Sequence, residues 1–227
     1  LNGARAAVIG GCVGTACVLA GKNFGVNPSG TMAHSWVQLF DTEYDAFKAY
    51  AEVYPNKSLF LVDTYDTLKS GIPNVIKVAN EVLKPKGCRP FGIRIDSGDI
   101  TYLSKKARKM LDEAGYPDCS ITASNSLDEH IINDMLLQGA KVDCFVVGER
   151  LINSASSPIF SGVYKLSAVE KNGEIIPKIN LSENVSKITT PHSKMLYRLF
   201  DCNTGKAIAD VLTLEDEKID DSKPYML

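Results

Sequence analysis

The sequence predicts an α/β fold in which strands and helices alternate, followed by a β-rich lobe. Apolar runs typical of buried strands occur at 58–62, 91–95, 119–123 and 142–147. The first three are each followed by a polar turn and then by a segment with helical periodicity. This alternation indicates a parallel sheet with right-handed crossovers. It favours part of a (β/α) barrel, and a doubly wound open sheet is the alternative.

The helices are predicted from apolar residues spaced three or four positions apart. Segments at 42–54, 68–83 and 102–114 have this pattern. The uncharged run 6–21 is interpreted as a buried helix whose small residues allow close packing. It is shorter than the roughly 20 apolar residues that cross a bilayer, so no membrane span is predicted.

Two further features complete the predicted elements. Ser126 and Glu129 have the spacing of a capping box, which predicts a helix from Ser126 to Leu137. After about residue 160 the helical periodicity stops, and short β runs follow. We therefore predict a barrel-like domain at 1–160 and a β-rich lobe at 161–227. Within the lobe, hairpin strands at 163–169 and 175–179 flank an Asn-Gly turn, and more strands are expected at 195–200 and 207–214.

Composition excludes several classes of function. The 227 residues include 25 basic and 27 acidic side chains, for a formal net charge of -2. Because no long basic run is present, we expect no nucleic-acid partner. The six cysteines form no Cys-x-x-Cys pair and no zinc-ligand set, which favours a reduced, cytoplasmic setting.

Arg94 and Asp96 are the first candidate binding residues. Arg94 lies within an otherwise apolar strand, where a charged side chain needs an anionic partner. In a barrel, Arg94 and Asp96 would both point inward because they are two positions apart. Arginine suits a phosphate or carboxylate, and aspartate suits ribose hydroxyls. The simpler interpretation, a turn that caps the next helix, accounts for Ser97 or Asp99 but not for Arg94.

His34 is the candidate catalyst. A lone histidine near a helix start is usually structural, but Thr31 and Ser35 give this one hydroxyl-rich surroundings. A second polar stretch, 63–67, is a possible metal site, although a helix N-terminus enriched in Asp and Thr is the commoner explanation. Since strand ends in a parallel sheet share one edge, these clusters are expected on the same face.

Five motifs occur in order along the chain: GTMAHSW from Gly30, LVDTYDT from Leu61, GIRIDSGD from Gly92, SNSLDE from Ser124 and VYKL from Val163. Together they resemble nicotinate phosphoribosyltransferases, which are type II phosphoribosyltransferases. The resemblance implies an irregular barrel-like α/β domain with a β-rich lobe, usually in a homodimer. It also implies ATP-coupled synthesis of nicotinate mononucleotide and pyrophosphate from nicotinate and phosphoribosyl pyrophosphate, with Mg²⁺ on the pyrophosphate, in NAD salvage.

The resemblance also implies roles for individual residues. His34 is similar to the histidine that ATP transiently phosphorylates, and Asp96 to the carboxylate that holds the ribose. Thr31 and Arg94 resemble contacts to the nicotinate carboxylate or a nearby phosphate, and Gly148 resembles part of a phosphate-binding turn. No protein residues are predicted to ligate a metal. The remaining predicted substrate-binding residues are Ser35, Ser97, Asp99, Ser124 and Asn125.

Some features depart from the family pattern. Glu149 and Arg150 follow Gly148, where the family usually has threonine or serine, and an acid there would repel phosphate unless Arg150 neutralises it. The chain also opens in mid-pattern at Leu1, so we expect a fragment that lacks the N-terminal domain. Two alternatives stay open: a nicotinamide-using relative, and a non-catalytic remnant or paralogue that binds a ligand.

Overall fold

The computed structural model describes every residue except 158, 161, 163, 180–187 and 220–227. The described residues form two compact units, one within Leu1–Tyr164 and one made of 165–179 and 188–219. None of the helices in these described ranges is both long and apolar enough to cross a membrane.

A parallel sheet is the centre of the first unit. Its four strands lie side by side in the order in which they occur in the sequence. Leu61 pairs with Arg94, and Arg94 pairs in turn with Thr122, so the strand ends are aligned at one edge. The predicted mixed α/β class is therefore confirmed, whereas closure into a barrel stays a prediction. The strands are β1 (Leu59–Leu61), β2 (Gly92–Ile95), β3 (Ser120–Ala123) and β4 (Cys144–Phe145).

The helices pack against this sheet through the apolar stripes that their spacing predicts. In α4 (Glu43–Val53), Phe47 is fully buried, and its ring centroid lies 5.2 Å from that of Phe60 in β1. The Thr42 hydroxyl caps α4 by accepting a hydrogen bond from the Asp45 backbone N–H at 3.1 Å. The helices before β4 are α1 (Asn2–Ile9), α2 (Val18–Phe24), α3 (His34–Leu39), α4 (Glu43–Val53), α5 (Ile72–Val78), α6 (Ile100–Glu113) and α7 (Glu129–Leu137), and α8 (Glu149–Ile152) follows it.

The helix after β1 is less regular than predicted. A π-helical turn, Thr67–Gly71, precedes α5, and a second one, Ala79–Leu83, follows it. Gly71 explains why the first turn sits so close to the sheet, since a Cβ at this position would overlap the Val62 carbonyl oxygen.

The predicted single buried helix at 6–21 is wrong. The segment instead belongs to α1 and α2, with an irregular connection between them. Only Ala4 and Ala20 are buried in these two helices, and Val13 in the connection is 88% exposed. Gly11 adopts a φ of 111°, a conformation that interrupts a helix and that glycine adopts easily.

The predicted start of α7 at Ser126 is also wrong. Asp128 is the capping residue, because its carboxylate accepts a hydrogen bond from the Ile131 N–H at 2.9 Å. Asn125 and Ser126 have φ angles of 82° and 54°. An N-cap residue normally has extended backbone, so Ser126 belongs to a left-handed turn before the helix.

The second unit contains two antiparallel pairs of strands. A hairpin forms around the predicted Asn-Gly turn, from β5 (Ala168–Lys171) and β6 (Glu174–Pro177). Its first strand begins later than predicted, because residues 164–167 are not in a strand, and residue 163 lies outside the described residues. Asn172 and Gly173 both have positive φ, as the commonest two-residue hairpin turn requires. The other pair, β7 (Lys194–Phe200) and β8 (Ala207–Leu214), confirms the later predicted strands.

Candidate active site

Polar side chains meet where β1, β2 and β3 end. They come from the start of α3, from Asp63 and Thr64 shortly after β1, and from the ends of β2 and β3. Because the strands are parallel and in register, chain segments far apart in sequence reach the same edge of the sheet. We call this group the His34 cluster, and its members are His34, Asp63, Thr64, Arg94, Asp96, Ser97 and Ser124.

His34 is the first residue of α3, and partners hold both nitrogens of its ring. Its Nδ1 forms a 3.0 Å hydrogen bond with Thr64 Oγ1. Its Nε2 lies 3.6 Å from Asp96 Oδ2. The imidazole is 18% exposed, so a ligand can reach it while its orientation is restricted.

Asp96 is an ionised carboxylate within this cluster. Burial alone would raise its pKa, but the His34 ring, the hydrogen bond from the Ser124 hydroxyl and the charge of Arg94 outweigh it, and the pKa lies below the ordinary 3.8. Arg94 Nη2 is 4.0 Å from Asp96 Oδ2. The cluster thus keeps a negative charge beside the histidine at neutral pH.

Arg94 has the anionic partner that its position in β2 predicts, and it retains unused donor capacity. Its side chain is 17% exposed. The buried Nε has no hydrogen-bond partner within the described residues. A buried donor without a partner is costly in a folded protein, so an anionic ligand that accepts a hydrogen bond from this guanidinium would be favoured.

Asp63 fixes the turn that carries Asp96. Its Oδ2 accepts hydrogen bonds from the Asp96 backbone N–H at 2.8 Å and from Ser97 Oγ at 2.6 Å. Burial is the main reason that the pKa of Asp63 is raised above 3.8. Ser97, predicted to bind substrate, therefore donates its hydroxyl to the protein in this structure.

Sequence reasoning missed Asp63 and Thr64 as members of the cluster. Of the stretch 63–67, the helix-start interpretation holds for Asp66, which accepts hydrogen bonds from Leu68 and Lys69 N–H at 3.0 and 2.8 Å. Asp63 and Thr64 instead turn towards Asp96 and His34. The available signal was their position directly after β1, since that strand neighbours β2 in a parallel sheet.

Two other predicted residues lie beside the cluster. Asp99 caps α6, because its Oδ1 accepts a hydrogen bond from the Tyr102 N–H at 2.9 Å. Asn125 follows Ser124 in the left-handed turn, where it accepts a 3.1 Å hydrogen bond from the Ser126 hydroxyl. The Asp99 carboxylate thus has a structural role in this structure, in addition to any contact with a ligand.

The structure does not bring Thr31 or Ser35 into the His34 cluster. Thr31 Oγ1 donates to the Met32 carbonyl at 3.0 Å, and Ser35 is exposed. Among the residues with described coordinates, no hydrogen bond or ion pair joins either hydroxyl to the cluster. Their predicted contacts with substrate stay predictions.

Gly148 immediately precedes α8, and the nearby Arg150 contacts a carboxylate from another segment. Arg150 Nη1 lies 2.5 Å from Asp128 Oδ2, so Arg150 pairs with the cap of α7.

The described ranges contain no group of three His, Cys, Asp or Glu side chains arranged to hold a metal ion. What the cluster offers is an oriented imidazole between a hydroxyl and a carboxylate, with a guanidinium close by. An imidazole in this position can act as a nucleophile or exchange a proton, and the carboxylate stabilises positive charge on the ring.

The chain is similar to nicotinate phosphoribosyltransferases over nearly its whole length. The Bacillus subtilis protein of that name is 49% identical over 97% of this chain and 44% of its own length. The Dictyostelium discoideum protein is 36% identical, again over 97% and 44%. Human nicotinic acid phosphoribosyltransferase, a solved structure, matches with a TM-score of 0.60 and 25% identity over 95% of this chain and 49% of that chain. No known protein-family profile matches the chain.

The fold and the cluster define an α/β protein with a candidate ligand site at the carboxyl edge of a parallel sheet, where an oriented histidine faces an ionised aspartate. The sequence matches identify the protein family. This chain belongs to the nicotinate phosphoribosyltransferase family. It spans less than half the length of the Bacillus and Dictyostelium proteins, so it corresponds to part of their sequence.

Proposed function

We propose that the protein containing this chain is a nicotinate phosphoribosyltransferase of NAD salvage. It joins nicotinate to phosphoribosyl pyrophosphate, releases pyrophosphate and couples the reaction to ATP hydrolysis. The observation that carries the proposal is the geometry of His34, which is held by Thr64 and Asp96 at the sheet edge. The family match supplies the substrates.

His34 is the proposed phosphoryl acceptor, forming a phosphohistidine. A neutral imidazole nitrogen attacks the terminal phosphorus of ATP, and ADP leaves. The ring gains positive charge as the new nitrogen–phosphorus bond forms. The Asp96 carboxylate, 3.6 Å from Nε2, stabilises that charge without having to move.

Arg94 and Asp96 are the proposed substrate contacts nearest the histidine. The partly exposed guanidinium of Arg94 would bind the nicotinate carboxylate or a phosphate oxygen, and Asp96 would accept hydrogen bonds from the ribose hydroxyls. Thr31 and Gly148 are the more distant proposed contacts. The other proposed binding residues are Ser35, Ser97, Asp99, Ser124 and Asn125.

Mg²⁺ is proposed as a companion of the pyrophosphate rather than as an ion caged by protein. Mg²⁺ commonly binds substrate phosphates together with one or two carboxylates and waters. Closure of the sheet into an irregular barrel, a homodimer and a cytoplasmic location complete the proposal.

The direct test is an assay of the full-length protein with nicotinate, phosphoribosyl pyrophosphate, Mg²⁺ and ATP, with detection of nicotinate mononucleotide. We expect product formation that ATP accelerates and that excess nicotinamide barely inhibits. Preferential use of nicotinamide would assign the protein to the amide-using relatives. Complete absence of both mononucleotides would leave a ligand-binding paralogue.

A further inference from the structure

Gly71 ends the π-helical turn after β1, where two backbones meet without a side chain between them. The residue is buried and has an ordinary helical φ of -55°. A Cβ here would overlap the Val62 carbonyl oxygen and would lie 2.7 Å from the Val62 carbonyl carbon and Cβ. Alanine normally favours a helix more than glycine does, so the close approach, and not the backbone angle, accounts for glycine.

The residue that Gly71 touches leads directly into the His34 cluster. Val62 N–H donates to the Arg94 carbonyl at 3.1 Å, which keeps β1 in register with β2. Asp63 and Thr64 follow Val62 in the chain. Asp63 holds the backbone of Asp96, and Thr64 holds His34. A shift of Val62 would therefore displace both supports at once.

The π-helical turn cannot easily retreat to make room for a side chain. Ser70, next to Gly71, donates to Glu43 Oε2 at 2.5 Å, and Asn74 Nδ2 donates to the same oxygen at 2.9 Å. Glu43 belongs to α4 and is 5% exposed. At the other end, the Asp66 carboxylate caps the turn. The turn is thus tied to α4 on one side and to the β1 loop on the other.

We propose that Gly71 is a positioning residue for the His34 cluster. By letting the turn rest directly on the Val62 backbone, it sets where Asp63 and Thr64 stand, and through them it orients Asp96 and His34. The geometric part of the proposal stands on the contacts above, and its catalytic consequence rests on the proposed function.

Gly71→Ala tests the geometric part, and Gly92→Ala is its matched control. Gly92 is also buried, and a Cβ there would overlap the Ser120 hydroxyl oxygen. It begins β2, so it lies at the strand end remote from Asp96. Both variants of the full-length protein should lose stability, but only Gly71→Ala should disturb His34.

The readout is the rate at which diethyl pyrocarbonate modifies His34, divided by the rate for His130, both measured by peptide mass spectrometry. His130 is an internal standard because its side chain is 87% exposed. In Gly71→Ala we expect this ratio to change by about two- to tenfold, the range that loss of one net hydrogen bond gives. In Gly92→Ala it should stay at the wild-type value. This readout does not depend on any enzymatic activity.

The catalytic part of the proposal is tested with the ratio of the ATP-stimulated rate to the rate without ATP. Because both rates are proportional to the amount of folded enzyme, that amount cancels in the ratio. Misplacing catalytic groups by an ångström can cost about 100-fold, so the ratio should fall in Gly71→Ala and persist in Gly92→Ala. If wild-type protein makes no mononucleotide, the proposed function fails while the labelling result still decides the positioning role.

Ser70→Ala keeps the experiment decisive if Gly71→Ala does not fold. This variant frees the turn from Glu43 without adding an atom near Val62, and it should change the labelling ratio in the same direction by less. An unchanged His34 ratio in Gly71→Ala, or in Ser70→Ala where Gly71→Ala is insoluble, overturns the proposal.

Discussion

The imidazole of His34 faces the carboxylate of Asp96 with 3.6 Å between Nε2 and Oδ2, although the two residues belong to different elements of the fold. The pair forms because α3 begins beside the ends of the parallel strands. The low pKa of Asp96 means that this carboxylate is charged whenever the protein is near neutral pH. Most of the chemistry proposed for the protein depends on this arrangement.

Asp96→Asn removes that charge and nearly preserves the shape of the side chain. We expect the ATP-stimulated rate to fall by about 100- to 1000-fold, the usual effect of losing one preorganised electrostatic partner. Initial rates with saturating substrates provide the measurement. If the variant retains most of the stimulated rate, Asp96 does not stabilise charge on His34.

Asp99→Ala should lower stability and also weaken substrate binding. Asp99 caps α6 through the Tyr102 N–H, and loss of such a cap typically costs about 1 kcal/mol of unfolding free energy. Urea denaturation provides this value, and the proposed substrate contact predicts a higher KM for one substrate in kinetics on the folded variant. An unchanged KM would leave Asp99 with the capping role alone.

Glu43→Gln should change how stability depends on pH. Burial is the largest cause of the raised pKa of Glu43, partly offset by hydrogen bonds from Ser70 and Asn74. A raised folded-state pKa gives stability that is fully present below the ordinary value of 4.5 and is lost as pH rises through the folded value. The wild-type protein should therefore lose stability relative to Glu43→Gln as pH rises from 4.5 towards neutrality.

The matched control for this pH experiment is Asp96→Asn, because the pKa of Asp96 is shifted in the opposite direction. A lowered pKa gives stability that is present above the ordinary 3.8 and is lost as pH falls through the folded value. Urea unfolding should show wild type losing stability relative to Asp96→Asn as pH falls below 3.8, and relative to Glu43→Gln as pH rises above 4.5. If the unfolding free energy depends on pH in the same way in wild type and Glu43→Gln, burial does not hinder ionisation of Glu43.

Glu149→Thr should improve binding of phosphoribosyl pyrophosphate if Gly148 belongs to a phosphate turn. A carboxylate at position 149 would repel a phosphate bound at this turn, and Arg150 also contacts Asp128. Exposed charge interactions are worth up to about 1 kcal/mol, so KM for phosphoribosyl pyrophosphate should fall by up to about fivefold. An unchanged KM, with Glu149→Gln as a neutral comparison, would place the phosphate elsewhere.

The sequence predicted the strands well because buried parallel strands are short apolar runs with polar turns after them. It also predicted that Arg94 and Asp96 share a face, since a period of two residues determines that relation directly. The cluster partner Thr64 was not predictable in the same way. Its position after β1 places it at the carboxyl edge of the sheet, but its contact with His34 also depends on which elements are neighbours at that edge, and no local pattern gives that.

The wrong predictions have a common physical origin in local backbone conformation. The run 6–21 has a composition suited to a buried helix, but its glycines favour turns, and two short helices result. Ser126 has a good capping side chain, yet a positive φ at that residue moves the cap to Asp128. In both segments the backbone angles, and not the side-chain types, decide where the helix begins.

The most direct test of the central claim is to locate phosphate on the full-length protein after incubation with ATP and Mg²⁺. Peptide mapping under alkaline conditions, which preserve phosphohistidine, should find an acid-labile phosphoryl group on the peptide that contains His34. That group should disappear when nicotinate and phosphoribosyl pyrophosphate are added. Formation of nicotinate mononucleotide with ATP stimulation, but with no phosphate on His34, would contradict the account.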